Sequence, residues 1–239
     1  MEINMLAIID CRLPETCKAS LSARGFEPLP MPPFPKLPEP VASHPDMLLF
    51  ISDGVLITHK DYYDIAKNEI DRIASAGKLS VLLSDEEIGD RYPHDILFNA
   101  ATVGIFILGL SNKISDHIHA LAAETGRRII NVNQGYTKCS TVVVDNNAVI
   151  TSDRTIALAA RECGIDLLFV RPGHITLPGY DTGFIGGASG RCGNKIYFCG
   201  NLDTHPDAMA IKAFCAAHCR TAVSLSSAPL FDAGPVFFI

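Results

Sequence analysis

The chain has 239 residues, 48% of them hydrophobic and 19% charged, and a formal net charge of -6. That composition belongs to a folded globular protein and excludes a disordered one. The shortage of clustered Lys and Arg excludes a general DNA or RNA binder, because phosphate recognition rests on cation clusters, whereas the acidity suits a small cationic partner. In chain order, the first expected strand is Met5–Ile9, in a segment from Met1 to Cys11 without the basic region of a leader peptide. A helix over Glu15–Arg24 and a strand over Phe26–Leu29 follow. Pro28–Pro40 holds seven prolines in thirteen residues, and the expectation is an extended polyproline segment strung over the surface. No run approaches 18 apolar residues, so no membrane-spanning helix is expected. Eight Cys without a leader read as reduced thiols in a cytoplasmic protein.

From His44 onward one pattern returns five times: a polar or acidic lead-in, an apolar run, a small polar turn and a second apolar run. The first is His44-Pro45-Asp46 before MLLF, the turn Ser52-Asp53-Gly54, and VLIT. The second is His94-Asp95 before ILF, a small-residue turn around Ala100 to Gly104, and IFIL. In the third, Lys138-Cys139-Ser140 opens TVVV, and Asp145-Asn146-Asn147 turns the chain into AVIT. The fourth is Asp181-Thr182-Gly183 before FIGG, a loop from Ala188 to Asn194, and KIYF. The fifth is Asp232-Ala233-Gly234 before PVFFI. Anchored on Asp46, Asp95, Lys138, Asp181 and Asp232, the spacings are 49, 43, 43 and 51 residues. The Asp-Gly and Asn-Asn turns support hairpins.

Helical patterns follow the first four hairpins at Lys60–Ala76, Lys113–Thr125, Arg154–Cys163 and Pro206–His218, with Asp116, Asp153 and Thr204 as expected caps. Each helix leads into a short apolar strand: Leu79–Leu83, Ile129–Val132, Leu167–Val170 and Ala222–Leu225. The unit is therefore strand–strand–helix–strand, with one copy split between the two ends. Units that cannot bury their own faces must stack. The regular spacing favours a closed α/β ring, a single domain over 1–239, above the competing open sheet.

A five-unit ring of this kind resembles the pentein fold, also called the guanidino-group-modifying-enzyme fold, over nearly the whole chain. Gly135-Tyr136-Thr137-Lys138-Cys139-Ser140-Thr141 and Gly179-Tyr180-Asp181-Thr182-Gly183-Phe184-Ile185-Gly186-Gly187 resemble strings of an uncharacterised family of that fold. The resemblance implies a five-unit pseudosymmetric β/α propeller with first strands around a central cavity. Relatives include deiminases, dimethylarginine hydrolases and amidinotransferases, in which a Cys thiolate attacks a guanidinium carbon, helped by a His and carboxylates. A non-catalytic relative is the ribosome anti-association factor, whose repeats Val144–Ile175 also resembles. In the catalytic relatives the nucleophile lies in the last unit, but Ser226–Gly234 contains no Cys.

If first strands line the centre, Asp46, Asp95, Lys138, Asp181 and Asp232 converge there as a substrate-binding set, since carboxylates hold a planar guanidinium by paired hydrogen bonds. The competing reading is that each Asp caps a turn. Cys139 stands alone among the Cys at an anchor, where Lys138 would lower its pKa and make it a nucleophile; the alternative is a buried small hydrophobe. Cys192 is the second candidate thiol. His44 and His94, with His174 as a further option, are candidate general acids. His205 reads as part of a helix start. Cys215, His218 and Cys219 read as a packed helix face rather than a zinc site. Gly186–Gly190 reads as a flexible hairpin loop, because no helix follows it. No cofactor or metal is expected. Two functions remain: a thiol-dependent hydrolase or transferase of a guanidino or amidine compound, and a non-catalytic binding protein for a ligand or a ribosome-associated partner. The oligomeric state stays open.

Overall fold

The computed structural model describes residues 5–239; residues 1–4, the start of the segment read as lacking a leader, lie outside the described residues. β1 (Met5–Asp10) is buried from its second residue on. α1 (Glu15–Ser22) hands the chain to β2 (Phe26–Met31), which runs parallel to β1 from Met5↔Phe26 to Asp10↔Met31. Pro28 and Pro30 lie within β2, an edge strand. Two residues apart, they direct their missing N–H groups to the same, unpaired side. Beyond β2 the proline-rich segment runs along the surface, with Pro33, Pro35, Lys36 and Glu39 exposed, and is pinned by two inward side chains. Phe34 and Leu37 are buried, and the Tyr62 hydroxyl donates to the Pro32 carbonyl at 2.9 Å.

The first full unit holds a short helix, α2 (Pro45–Leu48), then β3 (Leu49–Ser52), β4 (Val55–His59), α3 (Lys60–Ile65), α4 (Lys67–Gly77) and β5 (Ser80–Ser84). The single helix expected over 60–76 is two, broken at Ala66 with φ -112° and ψ 29°. The second unit is β6 (Ala101–Val103), β7 (Phe106–Gly109), α5 (Asp116–Thr125) and β8 (Arg128–Asn131). The third is β9 (Thr141–Asp145), β10 (Ala148–Thr151), α6 (Arg154–Glu162) and β11 (Asp166–Phe169). The fourth is β12 (Ser189–Cys192), β13 (Lys195–Phe198), α7 (Ala208–Ala217) and β14 (Thr221–Ser224). β15 (Phe237–Phe238) pairs antiparallel with β1, Ala7 opposite Phe238.

The strands fall into five three-stranded sheets: β15-β1-β2, β3-β4-β5, β6-β7-β8, β9-β10-β11 and β12-β13-β14. In each, the middle strand pairs antiparallel with one neighbour and parallel with the other, and the parallel partner arrives after a helix. Asp53 and Gly54 both take positive φ, 52° and 76°, the geometry a two-residue hairpin turn needs. α6 buries Ile156, Ala157, Ala159 and Ala160; Ile156, Ala159 and Ala160 join Val149 of its own sheet and Val103 and Leu108 of the preceding one.

Three hairpins differ from expectation. Met47 and Leu48 of MLLF belong to α2 rather than to β3. ILF (96–98) precedes β6 as an irregular segment, and FIGG (184–187) precedes β12 as a turn. In the fourth unit the glycines remove the side chains that a strand would pack, so pairing starts only at Ser189. Gly186, not Asp181, stands three residues before the first strand, as Lys138 stands before β9.

Asp153 caps α6 as expected, accepting from the Thr155 and Ile156 amides at 2.8 and 2.9 Å. Ser115 rather than Asp116 caps α5, accepting from the His117 amide, and Thr204 caps nothing, since Asn201 holds the 3-10 turn Leu202–Thr204. Asp153→Ala should cost about 1 kcal/mol, measured as a lower urea midpoint at unchanged slope.

Two buried imidazoles also accept backbone bonds: His59 Nδ1 from the Asp61 amide and His205 Nδ1 from the Asp207 amide, each at 3.1 Å. Burial lowers both pKa values, opposed by Asp61 and Asp207 respectively. The unfolded chain therefore binds protons that the folded chain refuses. Stability is full above the unfolded value of about 6.5 and falls as pH drops through the lowered folded values. Thermal unfolding should shift to lower temperature between pH 7.5 and 5.5, and His59→Gln should flatten that slope.

One cavity of about 1010 Å³ takes wall residues from all five first strands, among them Phe50, Thr102, Val143, Arg191 and Phe237, with Asp46 and Lys138 also lining it. Among the described residues no helix is long and apolar enough to cross a membrane.

Candidate active site

The segments just before the first strands carry the polar groups. His44, ahead of α2, and Asp46, within it, are each 1% exposed. Cys139, ahead of β9, is 2% exposed. Its thiol donates to Asp46 Oδ2 at 2.8 Å, and donor atoms of His44, Asp46 and Cys139 lie within 4.8 Å of one another. Asp232 closes the group from ahead of β15. It accepts from the Phe184 amide at 2.8 Å and the Gly234 amide at 3.0 Å, and its Oδ1 stands 4.0 Å from His44 Nδ1. Gly234 has φ 66°, and a Cβ there would sit 2.7 Å from the Cβ of His44, so that turn requires glycine on both counts.

Three residues that the sequence reading passed over complete the site. Asn99 is fully buried; its amide donates to Met47 Sδ at 3.2 Å and to Cys139 Sγ at 3.5 Å, and its carbonyl oxygen accepts the Lys138 amide at 2.7 Å. Asn99 thus ties the second unit to the thiol of the third. Asp10, at the end of β1, forms a two-pronged pair with Arg12, at 2.7 and 3.0 Å, and faces His44 Nε2 at 3.7 Å. The one available signal was an Asp that ends an otherwise apolar strand.

Burial dominates the electrostatics. It raises the pKa values of Asp46 and Asp232 and lowers that of His44. The Cys139 thiol is pushed well above its ordinary value, first by burial and then by the charges of Asp46 and Asp232. The expectation that Lys138 lowers it is therefore corrected. Lys138 is itself shifted down by burial, and its ammonium lies over the Phe237 ring at 5.9 Å. Both His44 ring nitrogens and Asp46 Oδ1 are buried without a hydrogen-bond partner. Such groups cost free energy unless a ligand or water meets them.

The remaining expected residues lie elsewhere. Asp95 is buried but accepts from the Tyr136 hydroxyl at 2.5 Å. Asp181 is exposed and lines, with His174, a separate cleft of about 640 Å³, because its unit begins pairing eight residues later, at Ser189. His94 is exposed beside another shallow cleft. Gly186 and Gly187 are not a flexible loop: a Cβ on Gly187 would fall 2.0 Å from Asp232 Oδ1, and its amide donates to the Cys139 carbonyl at 2.7 Å. Cys215 is buried in the core, whereas both His218 ring nitrogens face carboxylates, Asp145 and Asp166, at 3.1 Å.

Among solved structures, the chain is similar to a dimethylarginine dimethylaminohydrolase from Pseudomonas aeruginosa complexed with citrulline, at 9% identity and a TM-score of 0.59, covering 93% of this chain and 91% of that one. It is also similar to C. jejuni agmatine deiminase, at 10% identity and 0.54, covering 92% and 76%. A third is an amidinotransferase from Microseira wollei in the saxitoxin biosynthetic pathway, at 9% and 0.51, covering 86% and 72%. At such identities the likeness is one of fold. No curated protein sequence matches. Residues 8–237 match the model described as "Family of unknown function (DUF6873)", and the chain belongs to that family, which has the pentein, or guanidino-group-modifying-enzyme, fold.

Proposed function

We propose that this chain is a thiol-dependent hydrolase or transferase of a small guanidino or amidine compound, with Cys139 as nucleophile. The observation that carries the reading is the buried cluster of Cys139, His44, Asp46 and Asp232, with unpartnered polar atoms on His44 and Asp46. Asp232 and Asp46 pair with the planar cation, and Lys138 borders the pocket. As Sγ attacks the central carbon, the thiol proton passes to Asp46. Asp46 passes that proton by way of His44 to the departing nitrogen, and the C–N bond breaks to leave a thiouronium on Cys139. Water then releases a ureido product, or an amine accepts the amidino group. In this reading the five sheets close into one ring and one domain around the cavity, and Asp181 and His94, which line separate clefts, take no part. A reducing, cytoplasmic compartment suits the eight free thiols.

A second reading, binding without turnover, is favoured by the burial and the neighbouring carboxylates that push the thiol's pKa up. The two part in one experiment. Chelator-treated protein is incubated with arginine, agmatine and methylated guanidines, quenched in acid and analysed by mass spectrometry. An amidino adduct on Cys139 with ureido or transfer product supports the enzyme; saturable binding with neither supports the binding protein; no binding of any guanidine overturns both.

A further inference from the structure

We propose that His44, Asp46 and Cys139 form a site for one borderline-soft divalent cation, of the kind represented by Zn(II) and Co(II). The sequence alone gave no metal site, because these ligands come from segments 93 residues apart. Among the described residues they are the group whose His, Cys and carboxylate donors converge, all three buried and within 4.8 Å. A thiolate, an imidazole and a carboxylate are donors that suit such ions. With metal–ligand bonds of about 2.0–2.3 Å, tetrahedral donors stand roughly 3.3–3.8 Å apart, so the triad closes on an ion by shifts of about 1 Å. The second, independent observation is that both His44 nitrogens and Asp46 Oδ1 are buried and unpartnered, although interiors rarely leave such atoms unmet.

Charge points the same way. As Sγ binds the ion, the thiol proton leaves to solvent. Fully ionised, Asp46, the thiolate and Asp232 would carry three negative charges against Lys138, with Asp10 offset by Arg12. A divalent ion brings the group to neutrality. Whichever His44 nitrogen ligates, the other faces a carboxylate, Asp232 or Asp10, an arrangement that orients metal-bound imidazoles. Asn99 directs its amide at the sulfur. This inference goes beyond the proposed activity and does not require it. An ion held by His44, Asp46 and Cys139 would take the place of the guanidinium against the same carboxylate, so the two occupancies exclude each other.

The test titrates chelator-treated full chain with CoCl₂ and then ZnCl₂. Expected is one Co(II) per chain, with a near-ultraviolet thiolate-to-cobalt band that Zn(II) bleaches. The band should vanish in Cys139→Ser and persist in Cys192→Ser and Cys219→Ser, whose thiols lie outside the cluster. His44→Gln, a second arm should the serine variant misfold, should weaken Co(II) binding at least about tenfold. No thiolate band in the wild-type chain, or a band that survives Cys139→Ser or is unmoved by His44→Gln, overturns the proposal. Guanidine binding measured on the same metal-free protein reports separately on the activity, so either can fail alone.

Discussion

Cys139→Ser in metal-free protein is expected to lower turnover of any guanidino substrate by about 10³-fold or more, while the Kd for that compound changes less than about tenfold. The asymmetry follows from the division of labour in the cluster. A guanidinium is a resonance-stabilised, weak electrophile, and a serine hydroxyl beside a carboxylate does not replace sulfur as the attacking atom. The groups that would hold the cation keep their places: Asp232 is fixed by two backbone amides rather than by the thiol, and a serine hydroxyl still donates to Asp46 as the thiol does. Asp232→Asn should reverse the pattern and weaken binding first, since an amide gives up the charge. Steady-state kinetics and calorimetry on both variants check this. Equal losses of binding and turnover in Cys139→Ser would show that the thiol supports the site without reacting.

Gly186→Ala should destabilise the fold by about 3 kcal/mol, lowering Tm by roughly 6–12 °C. A Cβ at that position would meet the Cys139 and Lys138 carbonyl oxygens at 2.5 Å each and the Thr141 amide nitrogen at 2.6 Å. All three are backbone atoms on either side of the thiol, so relief requires shifting β9 or the turn that carries Cys139. Gly164→Ala is the control. Unlike Gly186 it takes a positive φ, 71°, and nothing stands within 4 Å, so it should cost only the left-handed strain of roughly 1–2 kcal/mol. Calorimetry on the pair tests whether Gly186 is there for space. If Gly186→Ala proves no costlier than Gly164→Ala, the neighbouring backbone yields to the methyl and space is not the reason.

Much of this was legible because the fold is periodic. Alternation and turn chemistry placed VLIT, TVVV, AVIT and KIYF in strands, and repeat spacing brought Asp46, Lys138 and Asp232 to corresponding segments. The fourth unit escaped because FIGG has the apolar look of a strand and the backbone of a turn. Counting from it put Asp181 at an anchor that Gly186 occupies. Asn99 escaped for a different reason: its partners, Met47 and Cys139, lie 52 and 40 residues away, and nothing local marks it. The pKa of Cys139 was misjudged because adjacency to Lys138 along the chain is visible, whereas burial and the field of two distant carboxylates are not.

The pairing of β15 with β1 sets when this protein can be finished. Ala7 has no antiparallel neighbour until Phe238 has been made, and Leu6 exchanges both backbone hydrogen bonds with Ile239. A nascent chain emerging from a ribosome therefore presents β1 as an open edge throughout most of synthesis, able to accept a strand from another copy. Closing that contact carries the entropy of a loop spanning almost the whole chain, so β1 and β2 can pair early while the third strand of their sheet joins only after Phe237 and Phe238 have been made.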